Sequence, residues 1–270
     1  MKLTRRETLT LAAAATAVGV AGFPSLAAAK DGDVIDPLKL MAPKGIPDKV
    51  DGDPNAKVTF IEYASPTCPH CALFSNTVLE PFKEKYVKTG KVKFILRPFA
   101  RNTMDAAIFM LAEAAAKSVD EQAAPAPAPA ASSEASSEAS SAEASSASAP
   151  PASSAAAAPT DPNNPSGYSQ AAIAAYENVI ATYFKTQQTW GVSDKPLDAV
   201  KAVALQLGFS EDSFTAALKN QDFFNAVETM RDQALNDFGL EGTPTFYVNG
   251  KTLTGEKTME QLDAEITPLL

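Results

Sequence analysis

The chain has 270 residues, with 23 lysines and arginines against 32 acidic residues, and a formal charge of −9 at neutral pH. So acidic a surface argues against the phosphate backbone of nucleic acid as a partner. One histidine and two cysteines are too few to close a four-ligand zinc site made of those residue types.

In chain order, the first segment reads as an export signal. "TRRETLT" opens basic, "LAAAATAVGVAGF" is a mild apolar run, and Ala27 and Ala29 sit as an A-x-A cleavage site. Arg5 and Arg6 before a weak apolar run favour the twin-arginine route over the ordinary secretory one. The run is shorter than the ~20 residues that span a bilayer, which argues against an uncleaved anchor. Removing residues 1–29 takes away Lys2, Arg5, Arg6 and Glu7, leaving a mature charge of −11. The expected destination is the periplasm, an oxidising compartment in which paired cysteines persist as a disulfide.

Residues 30–50 read as an N-terminal arm. "VTFIEY" (58–63) is apolar and β-branched, and reads as a buried strand, as does "KVKFILRPF" (91–99) after a Gly90 turn. Between them residues 71–87 carry helical periodicity through Leu73, Phe74, Val78, Phe82 and Tyr86, with Pro81 expected to kink the helix. A strand, helix, strand order implies a parallel pair with a right-handed crossover over residues 51–100. "TMDAAIFMLAEAAAKSV" predicts a helix within 101–120. From 121 to 167 the chain is alanine, serine, proline and glutamate, the composition of a linker that cannot bury enough surface to order itself. Helical periodicity returns over 168–240, about four helices with Gly191 and Gly208 as breaks. Residues 241–270 read as a strand, an Asn249-Gly250 hairpin turn, a second strand and a closing helix over Met259, Leu262 and Ile266. The predicted fold class is α/β, one mixed sheet in βαβ…ββα order with an inserted helical subdomain.

The chemistry concentrates in Cys68-Pro69-His70-Cys71, which holds both thiols and the lone imidazole of the chain. Thiols at i, i+3 on a helix start can form a disulfide without straining the backbone. Pro69 suits the first helical position, where a missing N–H costs nothing. The unpaired amides and positive end of the helix would then favour a Cys68 thiolate, and His70 would add to the effect. Each pKa unit so gained is worth about 1.4 kcal/mol and pulls the couple toward its reduced form, making the disulfide a better oxidant. Cys71, one turn on, is expected to be buried and less acidic. Glu62, six residues before Cys68, is either a buried acid with a raised pKa that shuttles protons or a wet residue at a strand end. A purely structural disulfide and a two-thiolate Cu(I) site are the competing readings of the cysteines.

"VTFIEYASPTCPHC", followed far downstream by "GTPTFYVNGK", resembles the DsbA-type thioredoxin-fold oxidoreductases, and "DGDPNAKVTFIEY" is similar to their Gram-positive and α-proteobacterial branch. The resemblance covers residues 51–119 and 168–270. It implies a thioredoxin fold and an enzyme that donates disulfides to reduced or unfolded exported proteins. In that reading Cys68 attacks, Cys71 is its partner, Pro69-His70 is the dipeptide of oxidising members, and Glu62 is the buried acid. Pro244 matches the cis-proline beside the site, and the Thr243 backbone would receive an extended substrate. Threonine stands at 243 where the best-known oxidants carry valine and some isomerase relatives carry threonine, so an isomerase or reductase is the alternative, with a thioredoxin-fold chaperone further off. Thiolate exchange needs only these sulfurs, so no small-molecule cofactor is expected. Isomerase relatives usually carry an N-terminal dimerisation module, for which residues 30–50 are too short, so a monomer is expected, and the resemblance implies reoxidation by a quinone-linked membrane partner of DsbB type.

Overall fold

The structure is a computed structural model that describes residues 29–123 and 165–270. The export-signal reading of 1–29, apart from Ala29, and most of the 121–167 linker reading lie outside the described residues.

Five strands form one sheet in the order β1-β3-β2-β4-β5. β2 (Val58–Ala64) and β3 (Val92–Pro98) are parallel, pairing Phe60 with Phe94 and Glu62 with Leu96. Both are buried over nearly their whole length, as expected of central strands covered on both faces. β4 (Thr245–Val248) runs antiparallel to β2, setting Phe246 opposite Glu62, and turns through Asn249 and Gly250 into β5 (Lys251–Thr254). Both turn residues have positive φ, the requirement of a two-residue hairpin, which an Asn-Gly pair meets at low cost.

Two pairings were not expected from sequence. β1 (Val50–Asp51) adds to β3 as an antiparallel edge, so the end of the arm belongs to the sheet. Farther back, the arm lies along β5: Gly32 N–H donates to the Thr252 carbonyl at 2.8 Å, and Thr252 N–H to that of Asp33 at 2.7 Å. The otherwise open edge of β5 is thereby covered.

One face of the sheet carries Phe60, Glu62, Phe94 and Phe246. On it lies a helical stretch over residues 69–87, made of α2 (Pro69–Phe74), a π turn (Ser75–Leu79), α3 (Glu80–Phe82) and a second π turn (Lys83–Val87). Phe74 meets Phe246 and Phe82 meets Phe60, both at 4.6 Å between ring centroids. Pro81 does not interrupt the helix. The chain stays helical through it, with wider turns on either side of the missing donor.

The helical insertion leaves after β3 as α4 (Thr103–Ala123), which continues three residues into the stretch read as linker, and returns as α5 (Gln170–Lys185) packed along α4. α6 (Gln187–Trp190), α7 (Pro196–Gln206), α8 (Glu211–Leu218) and α9 (Gln221–Phe238) complete it, and α10 (Met259–Ile266) closes the chain; a short helix α1 (Pro37–Leu40) lies in the arm. Among the described residues no helix is long and apolar enough to cross a membrane.

On the opposite face of the sheet, Arg97 of β3 is buried. Its guanidinium donates to both Asp48 carboxylate oxygens at 2.8 and 2.7 Å, to Tyr63 Oη at 3.0 Å and to the Leu40 carbonyl at 2.7 Å. This bidentate pair ties the arm to the sheet. Asp48→Ala strands a buried cation and is expected to cost about 3–5 kcal/mol in urea unfolding, with Asp48→Asn losing less because one acceptor remains.

Candidate active site

β2 ends at Ala64, and the chain turns through Ser65, Pro66 and Thr67 to place Cys68 at the N-cap of α2. Cys68 keeps an extended conformation (φ −84°, ψ 119°), and Pro69 occupies the first helical position. Both cysteines are free thiols; Cys68 is 2 % exposed and Cys71 is 0 % exposed.

The two sulfurs have opposite acidities. Cys68 is pulled down to about 5, first by the hydrogen bond from the Cys71 thiol, then by the Thr243 side chain and the backbone N–H groups of Cys71 and His70, with burial opposing. Cys71 is pushed well above the usual thiol range, chiefly by burial, then by its bond to Cys68 and the nearby Glu62. One sulfur is therefore favoured as a thiolate at neutral pH, the form that thiol chemistry requires, while the other holds its proton.

Thr243 closes the other side of Cys68. The Thr243-Pro244 peptide bond is cis, and the Thr243 carbonyl accepts the Cys68 thiol at 3.1 Å. That contact suits the protonated sulfur. Among the described residues the buried Thr243 Oγ1 has no other partner, so its hydroxyl can donate to the sulfur once the proton leaves. Beside Thr243 and Pro244 lies a cleft of about 200 Å³ bordered by Leu240, Thr254 and Gly255.

Glu62 is 1 % exposed, and among the described residues neither carboxylate oxygen has a hydrogen-bond partner. Burial pushes its pKa up to about 8; the Lys83 cation opposes this, and the charges of Glu177 and Cys68 add to it. Of the two sequence readings, the wet strand end is ruled out. Lys83 is itself held by Asp51 at 2.9 Å and by Glu177.

His70 points outward, its side chain 62 % exposed, and its Nδ1 pairs with Glu256 just beyond β5. The hydrogen bond and charge of the Glu256 carboxylate raise the imidazole pKa. Sequence reasoning missed Glu256, and it missed the groups that hold the loop before Cys68. Asp105, buried on α4, accepts from Thr67 N–H at 2.7 Å and Ser65 Oγ at 2.8 Å. Arg101 Nε donates to Ser65 Oγ at 3.0 Å. From α6, Gln187 reaches the Pro66 and Cys68 carbonyls. Only a helix-start aspartate gave any signal, since Asn102 and Asp105 flank the first turn of α4.

The chain matches known proteins in sequence and in fold. The family model described as Thioredoxin matches residues 45–163 and 158–267. A Rickettsia felis protein named "Putative protein-disulfide oxidoreductase" is 38 % identical over 76 residues, which span 27 % of this chain and 27 % of that relative, about a quarter of its length. Among solved structures, a double cysteine-to-alanine variant of Wolbachia pipientis alpha-DsbA1 superposes with a TM-score of 0.61 at 22 % identity, covering 87 % of this chain and 96 % of that one. Chlamydia trachomatis DsbA does so with a TM-score of 0.54 at 16 % identity, covering 82 % and 90 %. The chain belongs to the thioredoxin family and has the DsbA form of its fold.

Proposed function

We propose that this protein is a thiol:disulfide oxidoreductase that donates the Cys68–Cys71 disulfide to exported proteins. The observation that carries the proposal is the unequal pair: Cys68 held near a pKa of 5 beside Cys71, buried and held well above 9. A substrate thiolate attacks Cys68 Sγ, the Cys68–Cys71 bond breaks, and Cys71 departs and takes a proton. A second substrate thiolate then attacks the substrate sulfur of the mixed disulfide. It forms the new bond and releases Cys68 as its thiolate, two electrons having passed to the enzyme. The cleft beside Thr243-Pro244 accommodates an extended substrate segment, and the hydroxyl of Thr243 favours the released thiolate, which supports the oxidant reading over the isomerase one. Export through the residue 1–29 signal, residence in the periplasm, action as a monomer and reoxidation by a quinone-linked membrane partner complete the reading.

The test joins thiolate absorbance with equilibration against glutathione. The wild type is expected to titrate near pH 5 and to lie far toward its reduced form. Four pKa units correspond to about 5 kcal/mol, and solvent screening at the sulfur trims this to roughly 3–4. Closing a four-residue loop returns about 2 kcal/mol to the disulfide form. The reduced protein should thus melt roughly 5 °C above the oxidised one. Since the folded thiol pKa lies below the unfolded one, that advantage is complete above about pH 8.5 and is lost as pH falls through 5. A Cys68 midpoint near 8.5, or a more stable oxidised form at pH 8, would leave only a structural bridge.

A further inference from the structure

We propose that Gln187 is a positioning residue for Cys68, its amide holding the active-site loop from the helical insertion so that the loop's backbone favours the thiolate. The inference rests on the oxidoreductase reading above and deepens it.

Gln187 opens α6 and is 7 % exposed. Its Nε2 donates to the Pro66 carbonyl at 2.7 Å and to the Cys68 carbonyl at 3.0 Å. The base of this side chain is fixed. Trp190, fully buried, anchors α6 through its indole N–H to the Tyr183 carbonyl at 2.8 Å. Gly191 N–H donates to the Gln187 carbonyl at 2.8 Å, and a Cβ at 191 would come within 2.7 Å of that oxygen. Gln187 therefore reaches the loop from a rigid support.

Asp105 holds the same loop from the other side, through Ser65 and Thr67. One contact comes from the helix before residues 124–164, the other from a helix after them, so both halves of the insertion converge on the four residues that end at Cys68.

The physical effect follows from peptide geometry. Carbonyl oxygens beside a sulfur disfavour its negative charge, and amide hydrogens favour it. Gln187 occupies the negative ends of the peptides at 66 and 68 and fixes their planes. The Cys68 carbonyl also accepts Ala72 N–H at 3.1 Å, the first bond of α2, so its orientation sets the start of the helix. The N–H groups of His70 and Cys71 are then held toward the sulfur. The other groups that face or neighbour Cys68 are Cys71 and His70 (with Glu256) on the α2 side, Glu62 on β2, Thr243 before β4, and Arg101 at Thr67. The side chain of Gln187 donates to the Pro66 and Cys68 carbonyls rather than to any of these groups.

Gln187→Met keeps length and volume and removes both donors. Its Cys68 thiolate midpoint is expected to rise by about one unit. The equilibrium constant against glutathione should then fall about tenfold toward the disulfide form, a change of about 30 mV. Gln187→Asn, with an amide on a shorter stem, should fall between the two and serves if the methionine variant does not fold. A merely structural role would lower the melting temperatures of both redox forms equally and leave midpoint and equilibrium where they are, and that result overturns the proposal. The wild type measured alongside separates the two failures. An ordinary wild-type midpoint sinks the oxidoreductase reading, whereas an acidic wild type with unmoved variants sinks only the role of Gln187.

Discussion

Cys68→Ser is expected to reduce disulfide transfer to the uncatalysed background, because the sulfur that a substrate attacks is gone. Cys71 substitutions should also stop turnover, but they separate two roles that the wild type combines. The Cys71 thiol is the largest single cause of the acidity of Cys68. A serine hydroxyl at 71 still donates to the Cys68 sulfur, while alanine does not. Cys71→Ser should therefore keep a Cys68 midpoint close to 5, and its Cys68 thiolate should attack a disulfide-bonded peptide, release one half as a thiol and hold the other half as a mixed disulfide long-lived enough for mass spectrometry. Cys71→Ala should raise the midpoint by about one to two units, or about 1.4–2.8 kcal/mol. Should both variants still titrate near 5, the acidity comes from Thr243, the helix end and the backbone donors, and the sulfur-to-sulfur hydrogen bond has no place in the mechanism.

The parts of this site that were legible in the sequence are the local ones. Cys68 and Cys71 lie three residues apart at a helix start marked by Pro69, and β2 and β3 announce themselves as unbroken apolar runs. Asn249-Gly250 identifies its hairpin because few residue pairs accept two positive φ angles. Long-range contacts left no such trace. Gln187 meets the active-site loop across about 120 residues, and Glu256 meets His70 across 186. Neither residue sits in a pattern that a period of two or 3.6 would reveal. β1 is two residues long and gains its identity only by lying against β3. Glu62 was ambiguous for a different reason. A carboxylate in an apolar strand can be buried or at a wet end, and only the helix packed over that face decides between them. At Pro81 the local rule located the disturbance, a missing donor flanked by two π turns, but not that the chain stays helical on both sides of it.

Glu62→Gln is expected to stabilise the reduced protein and slow its chemistry together. A carboxyl whose pKa rises from about 4.5 to about 8 on folding must stay protonated in the folded chain while the unfolded chain ionises. The stability associated with its protonated form is complete below pH 4.5 and is lost as pH rises through 8. At pH 7 the loss amounts to about 2–4 kcal/mol, which the neutral amide does not incur. The variant's advantage in urea unfolding should accordingly grow between pH 5 and 8 and then level off. Its cost appears when the Cys68–Cys71 bond breaks, because Cys71 leaves into a buried site where its thiolate is strongly disfavoured and must be protonated. Glu62 is close enough to raise the Cys71 pKa and carries a proton to give at neutral pH; glutamine carries none. Reduction of the disulfide by a thiol peptide should slow by about ten- to a hundredfold, the lower range of general acid catalysis, and its pH profile should lose an inflection near 8. An unchanged rate with the same inflection would place the proton donor elsewhere, while a less stable variant at pH 7 would mean that Glu62 is ionised and paired in the folded protein.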